Sequence, residues 1–194
     1  MLPFGRGDDA PAPPAHTVDV APADAFFRRA AALCGRAYEG HVTVDSPTQQ
    51  GMSPFNDRRL VMHVRGCSDD TLRIPFFVGD DRSRTWVLTR TATGLQLKHD
   101  HRHEDGNEDA LSMYGGDSRA GGTATRQEFP ADDASKAMFE REDRAVSIPN
   151  VWAIEIVPGD RFVYELSRPG RLFRVEFDLS RPVPPPPAPW GWRD

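Results

Sequence analysis

Between residues 38 and 179 a series of short runs carries apolar side chains at every second position. Tyr38, Gly40, Val42 and Val44 share one register. So do Leu60, Met62 and Val64, then Leu72, Ile74, Phe76 and Val78, then Trp86 and Leu88. The set closes with Trp152, Ile154 and Ile156, then Phe162, Tyr164 and Leu166, then Phe173, Val175, Phe177 and Leu179. A period of two belongs to a strand with one face buried. Shorter pieces hold Leu111 and Met113, and Thr125, Gln127 and Phe129. Turn chemistry separates the runs: Gly66-Cys-Ser-Asp, Gly79-Asp-Asp, Thr93-Gly94, Pro158-Gly159-Asp160 and Pro169-Gly170. About ten short antiparallel strands joined by tight turns predict an all-β fold with two short helices. Its economical form is an up-and-down barrel of eight to ten strands; a two-sheet sandwich is the alternative. A barrel hides its edges and can hold a small ligand.

Two segments break the alternation. Asp24 to Cys34 reads as a helix capped by Asp24, with Phe26, Phe27, Ala30 and Leu33 on one face and Gly35 at its end. Asp132 to Arg141 reads as a second, capped by Asp132 or Asp133. We expect a disordered or extended tail over 1–22, one barrel domain over 23–181, and a tail over 182–194. That last stretch is rich in proline and carries Trp190 and Trp192, which favours packing back on the barrel. A partner-recognition element is its sharper reading.

One strand departs from the apolar rule. Leu95 and Leu97 are followed in the same register by His99, His101 and His103, with Gln96, Lys98, Asp100, Arg102 and Glu104 between them. The apolar face thus continues as three imidazoles, and the other face should see water. Three histidines aimed at the core mean a buried polar network or the mouth of a cavity. Neutral imidazole suits zinc and other transition metals. Three from one straight strand do not easily reach one ion, so a neighbour would have to contribute. His41 and His63 fall on outward positions. Without metal, the row serves hydrogen bonding or acid–base chemistry.

Other groups extend the candidate site. Arg90, if it continues the Trp86–Leu88 face, enters the barrel beside the histidines and would suit an anionic ligand. Arg82 and Arg84 have salt bridges to Asp80 and Asp81 as their default. Asp105, Asn107 and Asp109 copy the start of a calcium loop, but Ala110 and Gly116 stand where glycine and glutamate belong, so a solvated loop is the expectation. Tyr114-Gly-Gly-Asp117 lacks the partners of a phosphate loop and reads as a mobile loop over the barrel mouth. Cys34 and Cys67, the two cysteines, either bridge or stay as small hydrophobes.

The helix before the first strand, and the Gly35-Arg-Ala-Tyr38-Glu-Gly40 opening, resemble the calycins, the superfamily of lipocalins and fatty-acid-binding proteins. In lipocalins a late arginine packs across the aromatic of that opening, and the resemblance would give Arg174 this role. Leu60-Val-Met-His-Val-Arg65, Arg73-Ile-Pro-Phe76, Arg82-Ser-Arg-Thr-Trp86, Leu97 to Asp105 and Arg174-Val-Glu-Phe-Asp178 also resemble an uncharacterised family of bacterial proteins, usually exported. That resemblance implies a periplasmic or secreted relative with a cleaved leader, although no signal peptide is visible in the sequence.

Net charge is −5, which disfavours a general nucleic-acid surface, and no run approaches the roughly 18 apolar residues of a membrane span. The expected function is binding of a small molecule, with an anion as one form of it. Phe76, Trp86, Arg90, His99, His101 and His103 are the expected lining residues. A transition metal such as zinc on His99, His101 and His103 is the candidate cofactor. The rival is an enzyme working through His99 and His101, with or without metal. An interaction module using the proline–tryptophan tail is the third reading.

Overall fold

The computed structural model describes residues 21–47, 53, 55 and 57–193. The extended stretch expected at the N-terminus lies outside these residues up to residue 20. Eleven antiparallel strands form one sheet: β1 (Ala37–Ser46), β2 (Leu60–His63), β3 (Gly66–Cys67), β4 (Thr71–Val78), β5 (Asp81–Thr91), β6 (Gly94–His101), β7 (Tyr114–Asp117), β8 (Arg126–Pro130), β9 (Val151–Val157), β10 (Arg161–Arg168) and β11 (Arg171–Val183). Their order is β7-β6-β5-β4-β2-β1-β11-β10-β9-β8, with the two-residue β3 paired beside β4. Neighbours in space are thus neighbours in sequence, apart from the β1–β11 pairing that wraps the sheet round and the step from β2 to β4. This is an up-and-down barrel, nearly closed, with its seam between β7 and β8.

The alternating residues fill its interior. Met62, Leu72, Ile74, Leu88, Leu97, Ile154, Phe162, Val175 and Phe177 have no measurable exposure. On the outer face a small apolar cluster forms where Ala37, Val61 and Phe77 pack with Val183. His63 faces outward as its register requires, yet it is only 4 % exposed. Burial, then the neighbouring Arg65, lowers its pKa.

Helix α1 (Pro22–Ala31) closes one end of the barrel against β6, β8 and β9. It starts two residues before the expected cap. Ala21 is the N-cap and Pro22 opens the first turn, where its missing N–H costs nothing. Asp24 instead pairs with Arg90. Phe26, Phe27 and Ala30 are the buried face. After the helix, a Cys34–Cys67 disulfide ties the chain to β3, with the Cα atoms 6.3 Å apart. Closing a loop with a sequence separation of 33 contributes about 3–4 kcal/mol in the chain-entropy model.

Helix α2 (Asp133–Arg141) is capped by Asp132, whose carboxylate accepts from Ser135 N–H at 2.8 Å. Its first turn is bonded to β7. Ser135 Oγ accepts from Gly115 N–H at 2.8 Å and donates to the Gly115 carbonyl, and Asp132 N–H donates to that carbonyl as well. The helix lies beside the seam and sends Phe139 into the core.

Tyr114-Gly-Gly-Asp117, expected as a mobile loop, is strand β7, with His99 opposite Tyr114 and Leu97 opposite Gly116. Two glycines are needed there because backbone crowds both sides. A Cβ on Gly115 would lie 1.9 Å from the Leu97 carbonyl oxygen, and one on Gly116 1.9 Å from that of Pro130. The strand expected around Leu111 and Met113 is loop.

Arg174 is not across Tyr38. Tyr38 is opposite Pro182 on β11, while Arg174 bonds Glu176 at 3.2 Å and lies near Glu165.

Candidate functional site

The end of the barrel opposite α1 is open. A cavity of about 450 Å³ enters it. The floor is a belt of rings from six strands: Phe76, Trp86, His99, Tyr114, Trp152 and Tyr164. Trp86 stacks on Phe76 at 4.9 Å and on Tyr164 at 4.4 Å. His99 stacks on Tyr114 at 4.6 Å. These residues come from the inward register of their strands, so the alternation that built the core also built the floor.

His99 sits in this belt with 5 % exposure. Its Nδ1 lies 3.1 Å from the Tyr114 carbonyl oxygen and its Nε2 2.8 Å from the Tyr164 hydroxyl. A carbonyl only accepts, so Nδ1 carries the proton and Nε2 accepts from Tyr164. Burial pushes the His99 pKa down to about 3, and keeps both phenols neutral by raising Tyr164 well above its usual value and Tyr114 to about 12. His99 is therefore a neutral, fully bonded member of a rigid floor, with no lone pair left for a ligand.

His101 lies one step nearer the mouth. Among the described residues its ring makes no hydrogen bond. Burial, then Arg84, lowers its pKa, while Asp109, Asp81 and Asp100 act the other way. Arg84 also lines the cavity and is paired with Asp81, as the sequence led us to expect.

Two expected members are elsewhere. Arg90 points to the closed end, where it pairs with Asp24 and lies 4.2 Å over the Phe27 ring. Arg84 and Arg90 share a face of β5, but the strand is long enough to carry them to opposite ends. His103 lies beyond β6, which ends at His101, and is 59 % exposed beside Asp109 at 3.6 Å. The strand stops because Arg102 and Glu108 form an isolated bridge and the chain turns. His99, His101 and His103 thus do not converge as a metal-ligand set, and among the described residues no cluster of three or more His, Cys, Asp or Glu is placed to hold a metal. In the acidic loop, Asp105 accepts from Asn107 N–H and from the Asn107 amide, and Asp109 accepts from Leu111 N–H. Those carboxylates hold the turn.

The face of β6 expected to meet water is partly covered. Asp100 is 9 % exposed and bonded to Arg102 and Ser112. The C-terminal segment crosses this side. Trp190 N–H donates to the Arg82 carbonyl at 3.1 Å, Arg65 lies 5.2 Å over the Trp192 ring, and a Cβ on Gly191 would lie 2.5 Å from the Arg102 side chain. A groove of about 850 Å³ runs beside it. It is larger than the inner cavity, but Arg102 on its wall is already held by Asp100, Glu108 and the Gly106 carbonyl.

The sequence reading missed the rim. Arg144, Ser147, Asn150, Arg168 and Arg171 all line the cavity. The spacing Arg144-x-x-Ser147-x-x-Asn150, directly after a helix, is a signal that could have been read.

Fold and site together define a class: an antiparallel barrel stoppered by a helix at one end and opening at the other onto an aromatic floor with an arginine rim. Comparison with family models, curated proteins and solved structures finds no match to the chain. No helix among the described residues is long and apolar enough to cross a membrane.

Proposed function

We propose that the protein binds a small organic molecule in the open end of the barrel. The observation that carries this reading is the cavity of about 450 Å³, walled by rings at one end of the barrel. Volumes of this order, with apolar walls and a few polar groups, are typical of small-molecule sites. The rival reading, an enzyme using His99 and His101 together, loses support because both nitrogens of His99 are occupied. The disulfide supports an oxidising compartment, as expected of an exported protein.

The test is a ligand-observed NMR screen of a fragment library, repeated on Leu111→Trp. Leu111 lines the mouth on the loop before β7, and the larger ring should fill it. Fragments that bind the native protein should lose binding in the variant. An empty screen, or hits indifferent to the substitution, would remove the reading.

A further inference from the structure

We propose that the ligand is an aromatic carboxylate, its charge held by Arg144 and Arg168 and its ring laid on the aromatic floor. This rests on the barrel-binding reading above.

After α2 the chain advances in steps of three. Ser147 N–H donates to the Arg144 carbonyl at 2.8 Å, and Asn150 N–H to the Ser147 carbonyl at 3.1 Å. At three residues per turn, side chains three apart fall in line. Arg144, Ser147 and Asn150 therefore share a side, and all three line the cavity. Arg168, at the end of β10, meets them: its Nη1 donates to Asn150 Oδ1 at 3.1 Å. A guanidinium only donates, so that bond fixes the amide and leaves Asn150 Nδ2 as a further donor. Two guanidinium groups, an amide NH₂ and a hydroxyl make a donor-rich corner.

The charges of this corner are not balanced within the described chain. Of the four arginines lining the cavity, Arg84 is answered by Asp81 and Arg171 by Asp45 at 2.6 Å. Arg144 and Arg168 have no carboxylate partner among the described residues. Arg168 is register partner to Arg171, so two cations stand side by side, partly withdrawn from water. Burial, then Arg171, lowers the Arg168 pKa. Of the two acids of the cavity wall, Asp100 is paired with Arg102, and Asp109 accepts from Leu111 N–H and faces His101 and His103. An oxyanion in the corner would offset the repulsion and accept from a planar fork that matches a carboxylate. A flat body suits what lies beyond it, since Tyr114, Tyr164 and Phe173 are rings lining the same cavity.

The experiment is titration of the full chain with 2-naphthoate, 2-naphthamide and decanoate, followed by tryptophan fluorescence and calorimetry. We expect 2-naphthoate to bind at least about tenfold more tightly than the amide, the effect of one charge-assisted hydrogen bond. That preference should vanish in Arg168→Gln and in Arg144→Gln, and persist in Arg141→Gln on the exposed end of α2. Arg168→Gln also loosens Asn150. Arg144→Gln keeps the test sound, because the Arg144 side chain makes no hydrogen bond among the described residues. An amide that binds as well as the acid, or a preference that survives both rim variants, would overturn the proposal. Decanoate matching 2-naphthoate would overturn its aromatic part. If library fragments bind but 2-naphthoate does not, this inference fails and the barrel reading stands. An empty library as well would take both.

Discussion

Arg84 and Arg90 stand six residues apart on one face of β5 and meet opposite ends of the barrel. At the closed end, α1 gives Arg90 two partners, the Asp24 carboxylate and the Phe27 ring. The end is then filled by Phe26, Phe27 and Ala30, none more than 2 % exposed. At the open end, Arg84 has Asp81, and no helix among the described residues plugs the mouth. Tyr114 and Leu111 are only partly buried there, and two further arginines stand without a carboxylate partner among the described residues. The same residue types make a stopper where a helix covers them and line a cavity at the other end. What separates the two ends is which side chains have been given partners by the chain itself.

The largest way to break this contrast is to pull the stopper. Phe27→Ala removes a buried ring and should cost about 3–5 kcal/mol in urea unfolding. Binding at the open end should survive in the fraction that stays folded. If folded Phe27→Ala loses ligand binding, the two ends are coupled and the comparison fails.

A smaller effect belongs to the open end alone. In the unfolded chain His99 takes a proton near pH 6.5, while in the folded one burial holds that off to about 3. The folded pKa is depressed, so the stability from neutral His99 is whole above pH 6.5. It falls as pH drops from there towards 3, because the unfolded state binds the extra proton. The slope is up to about 1.4 kcal/mol per pH unit, or roughly 2–3 kcal/mol by pH 4.5. His101 and His63, also lowered, act in the same direction. Unfolding free energies at pH 7 and 4.5 should show the loss, with a shallower slope in His99→Gln. Equal slopes in both proteins would mean that His99 is not held neutral in the floor.

The smallest effect tests the ion pair at the closed end. Asp24 is 48 % exposed in its pair with Arg90, so Asp24→Asn should cost less than about 1 kcal/mol. A larger loss would show that the helix is held by charge more than by Phe26 and Phe27.

Much of this was legible in the chain. The alternation gave most of the strands and their inward faces, and it placed Phe76, Trp86, His99 and His101 on the cavity side of the sheet. Asp132 was readable as a cap because an aspartate before an apolar helical face satisfies a free N–H. The first helix was misplaced by two residues because Asp24, equally good as a cap, was drawn into an ion pair 66 residues away in sequence. β7 was missed because its glycines signal a loop locally, while the crowding that requires them comes from β6 and from the end of β8. Arg90 was placed at the wrong end because periodicity gives the face of a strand but not how far along the barrel a residue stands.

The sequence by itself determined the all-β class, most of the strand faces and the inward turn of His99 and His101, because a period of two is local and repeats over many residues. Only the tertiary structure decided which end is closed, that His99 spends its lone pair on Tyr164, that His103 turns away, and that Arg168 bonds Asn150 on a cavity that Arg144 also lines. Those outcomes depend on contacts between residues tens of positions apart. Such contacts carry no periodic signature, and the energy of each is set by the partner that arrives.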